Sequence, residues 1–169
     1  FASGTVFPVG TTLNTFNVTD ACGNTTSCSF SVTVQDNEAP TTVCQDITVQ
    51  LDVNGTAIII ASDIDNGSTD ACGIGTLAID TDTFNCNNIG NNLVTLTVTD
   101  TNGNSSQCIA TVTVEDTVAP SVVCQDITIQ LNAAGEASIL PSDIDNGSTD
   151  ACGINNISID IDSFNCNDV

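Results

Sequence analysis

The chain has 169 residues, 21 acids and no Lys, Arg or His, which gives a formal net charge of -21 at pH 7. That composition leaves no Schiff-base or phosphate-loop lysine, no imidazole base or metal ligand and no basic clamp, and a polyanion such as nucleic acid is repelled. Trp and Tyr are also absent, which removes most platforms for stacking sugars or bases.

The apolar fraction of 40% and a mean hydropathy of +0.19 argue against disorder despite the charge. The abundant Val, Ile and Thr fit half-buried pleated surfaces. Nine Cys, with no C-x-x-C pair and no His, point to disulfides in an oxidising, extracellular space. The longest apolar run, Ala57 to Ala61, is too short for a membrane span.

In chain order, residues 1–38 align with the end of a unit seen again downstream. Val18-Thr19-Asp20 returns at 98–100, Gly23-Asn24 at 103–104 and Cys28 at Cys108, each displaced by 80 in the numbering. Residues 39–118 form a whole unit, and residues 119–169 repeat its front with 33 identities in 51 positions. Ser62 to Ile74 (SDIDNGSTDACGI) recurs unchanged at Ser142 to Ile154. A fixed period of this kind marks a tandem array. The expected domains are therefore the back of one repeat (1–38), a complete repeat (39–118) and the front of the next (119–169).

Within the complete repeat, 43–51 alternates, with Ile47, Val49 and Leu51 on one face. Residues 56–60 read as a buried strand, and 76–80 and 83–86 as short strands. Residues 93–100 turn Val94, Leu96 and Val98 inward. Residues 107–115 do the same with Cys108, Ala110, Val112 and Val114. Asn102-Gly103 between the last two is a hairpin turn signal. With no 3.6-residue period, the reading is all-β: tandem immunoglobulin-like antiparallel sandwiches with almost no helix. A unit of this size is marginal without staples.

Four Cys in the complete repeat allow three connectivities. The nested one, Cys44–Cys108 with Cys72–Cys86, is favoured, and Cys152–Cys166 follows in the next repeat. Cys124 is expected to pair near position 188, and Cys28 and Cys22 with upstream cysteines.

The acids are the remaining chemistry. Asp63, Asp65 and Asp70, repeated as Asp143, Asp145 and Asp150, surround a Gly turn with the oxygen spacing that suits calcium. The plainer alternative is an Asx-rich turn. Junction acids Asp36 and Asp116 resemble the calcium-bridged linkers of cadherin-like arrays. A glycosidase pair is disfavoured by the Asp-only repeated spacing.

Phe7-Pro8-Val9-Gly10-Thr11-Thr12, Val18-Thr19-Asp20-Ala21-Cys22-Gly23-Asn24 and Cys28-Ser29-Phe30 together resemble the end of a hyalin repeat (HYR) domain. Ala39-Pro40 and Cys44 resemble the start of the next. The DNGSTDACGI form is similar to HYR-like repeats of giant Bacteroidota surface proteins, some of them gliding-motility adhesins sorted by type IX secretion. The resemblance implies an extracellular, cell-surface stalk or spacer with no catalytic residues. Its implied partners are neighbouring repeats, other copies in a filament, and a glycan or protein ligand at a distant tip. The alternatives are a self-assembling extracellular fibre and a glycan-binding module.

Overall fold

The computed structural model describes Gly4 and residues 6–168. The strands are β1 (Gly10–Thr19), β2 (Thr25–Val34), β3 (Ile47–Gln50), β4 (Thr56–Ile58), β5 (Ile74–Ile79), β6 (Thr83–Asn85), β7 (Gly90–Asp100), β8 (Ser105–Glu115), β9 (Glu136–Ser138) and β10 (Ser163–Asn165). Helix among the described residues is confined to single turns: α1 (Ala61–Ile64), α2 (Pro141–Ile144) and a 3-10 turn at Cys86–Asn88.

The complete repeat is a sandwich of a four-stranded sheet, ordered β3-β8-β7-β5, and the pair β4-β6. Alternation along β7 and β8 sends Val94, Leu96, Val98, Ala110, Val112 and Val114 inward, where all six are buried. From the opposite side they meet Leu51, Ile59, Ile64 and Phe84. Phe84 is fully buried and is the largest side chain in that core. At ~25 cal/mol per Å² of apolar surface, such a side chain contributes about 2–3 kcal/mol by burial.

The hairpin turn follows from one carboxylate and one glycine. Gly103 takes a φ of 97°, a conformation that costs a side chain-bearing residue strain. The Asp100 carboxylate accepts the backbone N–H of Asn102 and of Asn104, both at 2.8 Å, and the Asn104 amide at 2.7 Å. Asp100 is therefore buried yet satisfied.

One pairing departs from the antiparallel expectation. β3 runs parallel to β8, with Ile47 opposite Val112 and Gln50 opposite Glu115. First and last strands that run the same way put chain entry and chain exit at opposite ends of the module. Next to the entry end, Cys44 and Cys108 form a disulfide with Cα atoms 5.9 Å apart.

The flanking segments are halves of the same plan. Hairpin β1–β2 carries ten register pairs, Gly10–Val34 through Thr19–Thr25, and each recurs one period on in β7–β8. Residues 119–168 rebuild the β4–β6 pair as β9–β10. Residues 127–130 and 154–159 are not strands, although their counterparts β3 and β5 are. β3 pairs with β8 and β5 with β7, and among the described residues no such hairpin lies beside these two segments.

Candidate functional site at the repeat junction

Of the nested scheme for the chain's nine cysteines, the expected Cys44–Cys108 bridge forms and the short bridges do not. Cys86 is bonded to Cys152 of the next repeat, with Cα atoms 5.2 Å apart. Cys72 and Cys166 are free, as are Cys22, Cys28 and Cys124. The expected Cys72–Cys86 and Cys152–Cys166 bridges are thus absent, and the reason is strand length. Cys72 lies at the entry end, where its carbonyl accepts the Thr101 hydroxyl at 3.2 Å. Cys86 lies at the exit end, just before Gly90, which pairs with Val114. Between those ends β7 runs 11 residues, about 33 Å at ~3.3 Å per residue. A disulfide spans only about 4.4–6.8 Å between Cα atoms.

The exit end of one repeat and the entry end of the next therefore form the junction. The Asp52–Thr56 turn is closed by the Asp52 carboxylate, which accepts the N–H of Asn54 and of Thr56, each at 2.9 Å. Its Gly55 has a φ of 73° and no side chain. A Cβ there would sit 2.7 Å from Cys86 Sγ and 3.2 Å from Ala151 Cβ. The bare glycine makes room for the bridge and for the incoming Ala151-Cys152 loop. The same geometry recurs at Gly135, whose Cβ would lie 2.6 Å from Cys166 Sγ.

At the preceding junction the partner is missing. The position one period before Cys86 is Val6. Cys72, the counterpart of Cys152, is left as an exposed thiol. Its hydrogen bond to Asp36 pushes that thiol above the usual range, with partial desolvation and the charges of Asp36, Asp70 and Asp100 acting in the same sense.

The predicted acids are placed one by one. Asp63 accepts the Ile60 N–H at 2.8 Å and starts α1. Asp65 accepts the N–H and hydroxyl of Ser68, and its carboxyl is held below the usual range mainly by that hydroxyl. Asp70 accepts the N–H of Cys72 at 2.7 Å and of Gly73 at 3.1 Å. Asp143, Asp145 and Asp150 close the same turns through Leu140, Ser148 and Cys152. Among the described residues, ligand atoms converge within 4.8 Å in two other groups, Asp36–Asp70–Cys72 and Asp116–Asp150–Cys152. Asp70 and Asp150 thus face junction acids, while Asp63 and Asp65, like Asp143 and Asp145, serve separate turns. Linker order is reinforced from the hairpin side: the Asn102 amide donates to Asp36 Oδ2 at 2.8 Å and the Asn104 amide to the Asp36 carbonyl at 3.1 Å. The sequence reading missed Gly55 and the inter-repeat bridge. Recurrence of Gly55 as Gly135 was the available signal, and a glycine turn alone does not name a partner.

Residues 1–34 match the family model described as the HYR domain. The chain is also 36% identical over 139 residues to hyalin of Strongylocentrotus purpuratus, a match covering 74% of this chain. It spans only 11% of the length of that relative. Both comparisons support a HYR-like repeat. The HYR family model falls on the β1–β2 half-unit. HYR-like character and two disulfides fit an extracellular, adhesion-type repeat. No helix among the described residues is long and apolar enough to cross a membrane.

Proposed function

We propose that this chain is a stretch of the stalk of a long extracellular cell-surface adhesin or surface filament. The observation that carries the reading is the Cys86–Cys152 bridge, which joins consecutive repeats covalently at their ends. With Cys44–Cys108 tying the first strand of a repeat to its last, tension along the array passes through covalent bonds as well as through sheet hydrogen bonds. The net charge of -21 disfavours lateral clumping. No catalytic role is assigned. Placement of the parent protein among Bacteroidota gliding adhesins sorted by type IX secretion belongs to this proposal and rests on the DNGSTDACGI resemblance.

Calcium is proposed at the junctions rather than inside the loop. Asp63 and Asp65 are directed at turn N–H groups, so the three loop acids do not converge on one ion. The paired carboxylates Asp36–Asp70 and Asp116–Asp150 do face one another. Calcium takes about six to eight oxygens, so carbonyls and water would complete such a site, and the thiol of Cys72 would not serve.

Small-angle scattering of the 169-residue chain tests the stalk reading. An elongated particle that becomes more flexible on reduction is expected. A compact particle, unchanged by reductant, would refute it. Repeating the measurement with calcium and with chelator tests the ion: stiffening by calcium that Asp116→Asn weakens is expected, and identical curves would remove calcium from the proposal.

A further inference from the structure

The outer face of the four-stranded sheet differs from the rest of the surface of the complete repeat. Alternation turns the odd-numbered residues of β7 and β8 outward, from Asn91 to Thr99 and from Ser105 to Thr113, and all of them are uncharged. β3 adds Thr48 and Gln50, and β5 adds Thr76 and Ala78. In a chain with 21 acids, these positions hold none. Acids stand only at the margins, and each is engaged there. Asp46 accepts the Thr111 N–H at 2.6 Å, Asp80 accepts the Thr95 N–H at 2.9 Å, and Glu115 at the exit end accepts the Gln50 amide at 2.6 Å. The same face recurs on β1–β2. Its odd-numbered residues, from Thr11 to Thr19 and from Thr25 to Thr33, carry no charge, and Leu13 stands where Leu93 does one period on.

Polar groups on this face bond to one another. The Gln107 amide donates to the Thr97 hydroxyl at 2.9 Å, and the Thr113 hydroxyl donates to the Asn91 side-chain oxygen at 3.1 Å. Groups already paired within the sheet cost little when water leaves. Among them Leu93 and Ile109, diagonal neighbours across β7–β8, are 72% and 62% exposed. The opposite sheet also exposes Ile58 and Ile60, but acids crowd them. Asp82 immediately precedes Thr83, the register partner of Ile58, and the Asp63 carboxylate accepts the Ile60 N–H.

We infer that two copies of this chain associate side by side through the outer faces of their four-stranded sheets, stacked about 10 Å apart as the two sheets of a sandwich are. Charge selects this partner and this face. The chain has no Lys, Arg or His to meet a carboxylate, so copies that met through acid-bearing surfaces would set carboxylate against carboxylate. Charge thus restricts lateral contact to one face rather than abolishing it. The area is sufficient for a weak, reversible pair. β7 and β8 have 11 residues each, β3 has 4 and β5 has 6. At ~3.3 Å per residue and ~4.8 Å between strands, the face covers about 500 Å². Two such faces bury about 1,000 Å², the lower bound for a specific interface. The acids at the margins still repel across the pair, so salt should strengthen the association. The Debye length shrinks from about 30 Å at 0.01 M to about 8 Å at 0.15 M. A pair held by ion bridges would respond in the opposite sense. The stalk reading does not depend on this contact, because a stalk that stays single is still a stalk.

The test is sedimentation equilibrium of the 169-residue chain, with its exposed free thiols alkylated and a chelator present, across a range of concentration and salt. A reversible association is expected, and its equilibrium constant should rise several-fold from low to high salt. Leu93→Asp should weaken it at least tenfold, and Leu13→Asp added to Leu93→Asp should leave a monomer. Both leucines are largely exposed, so the melting temperature should hardly move. Ile58→Asp, on the opposite sheet, should leave the association unchanged. A chain that stays monomeric at every concentration and salt would give the face to some other partner and overturn the inference. Association that weakens with salt, that needs calcium, that survives the double leucine variant or that Ile58→Asp abolishes equally would overturn it too.

Discussion

Cys86 at the exit end of one repeat is bonded to Cys152 at the entry end of the next, 66 residues further along the chain. The bridge crosses a module boundary, so it fixes a junction rather than closing a loop inside a module. A protease that cuts after Glu reads this directly, because Glu115 is exposed at the end of β8. After cutting there, the pieces on either side are expected to stay together without reductant and to separate with it. Separation without reductant would mean Cys72–Cys86 and Cys152–Cys166 pairing instead.

Breaking the bridge within the repeat acts on stability. Cys44 and Cys108 are 64 residues apart, for which loop-closure entropy gives about 4 kcal/mol. Cys44→Ala with Cys108→Ala should lower stability by that order in chemical denaturation. A loss below about 1 kcal/mol would show that the unfolded chain gains little freedom without the bridge.

Two phenylalanines at equivalent positions should respond differently. Phe84 is fully buried, and Phe84→Ala should cost about 3–5 kcal/mol. Phe164 is only half-buried, because among the described residues no hairpin packs over it as β7–β8 packs over Phe84. Phe164→Ala should cost much less in the 169-residue chain, and equal losses would contradict the half-buried placement of Phe164.

Gly55→Ala places a methyl group 2.7 Å from Cys86 Sγ at a φ of 73°. Gly67 also has a positive φ, 85°, but open space around it. Gly67→Ala therefore carries only the left-handed backbone cost, about 1–2 kcal/mol. Gly55→Ala should exceed it and leave more free thiol at Cys86 and Cys152. Thiol counting under denaturing conditions checks the second outcome.

Acid should destabilise the repeat. Asp80 is held below its usual range first by the Thr95 N–H at 2.9 Å, and Asp65 first by the Ser68 hydroxyl. Asp52 is lowered first by the Thr56 N–H. Their folded values lie below the unfolded value of about 3.9, so their contribution is present above that pH and is lost as pH falls through the folded values. The melting temperature is expected to fall below about pH 4. A rise through the same range would show that relief of repulsion among the 21 acids outweighs these bonds.

Much of this molecule is local and could be read in the chain. The inward set Val94, Leu96, Val98, Val112 and Val114 follows from two-residue alternation, and the β7–β8 turn from Asn102-Gly103 with Asp100 before it. The fixed period likewise shows that β1–β2 and β7–β8 are one element written twice. The choice of Cys152 for Cys86 was not local. Spacing along the chain placed Cys72 near, whereas an 11-residue strand carries the chain to the far end of the module before Cys86 is reached. The parallel course of β3 and β8 then makes the near neighbour of Cys86 a residue of the next repeat. The same distance logic separates the acids: Asp63, Asp65 and Asp70 are close in sequence, but each carboxylate is drawn to the unpaired N–H groups of its own turn, and only the fold brings Asp36 to Asp70 and Asp116 to Asp150.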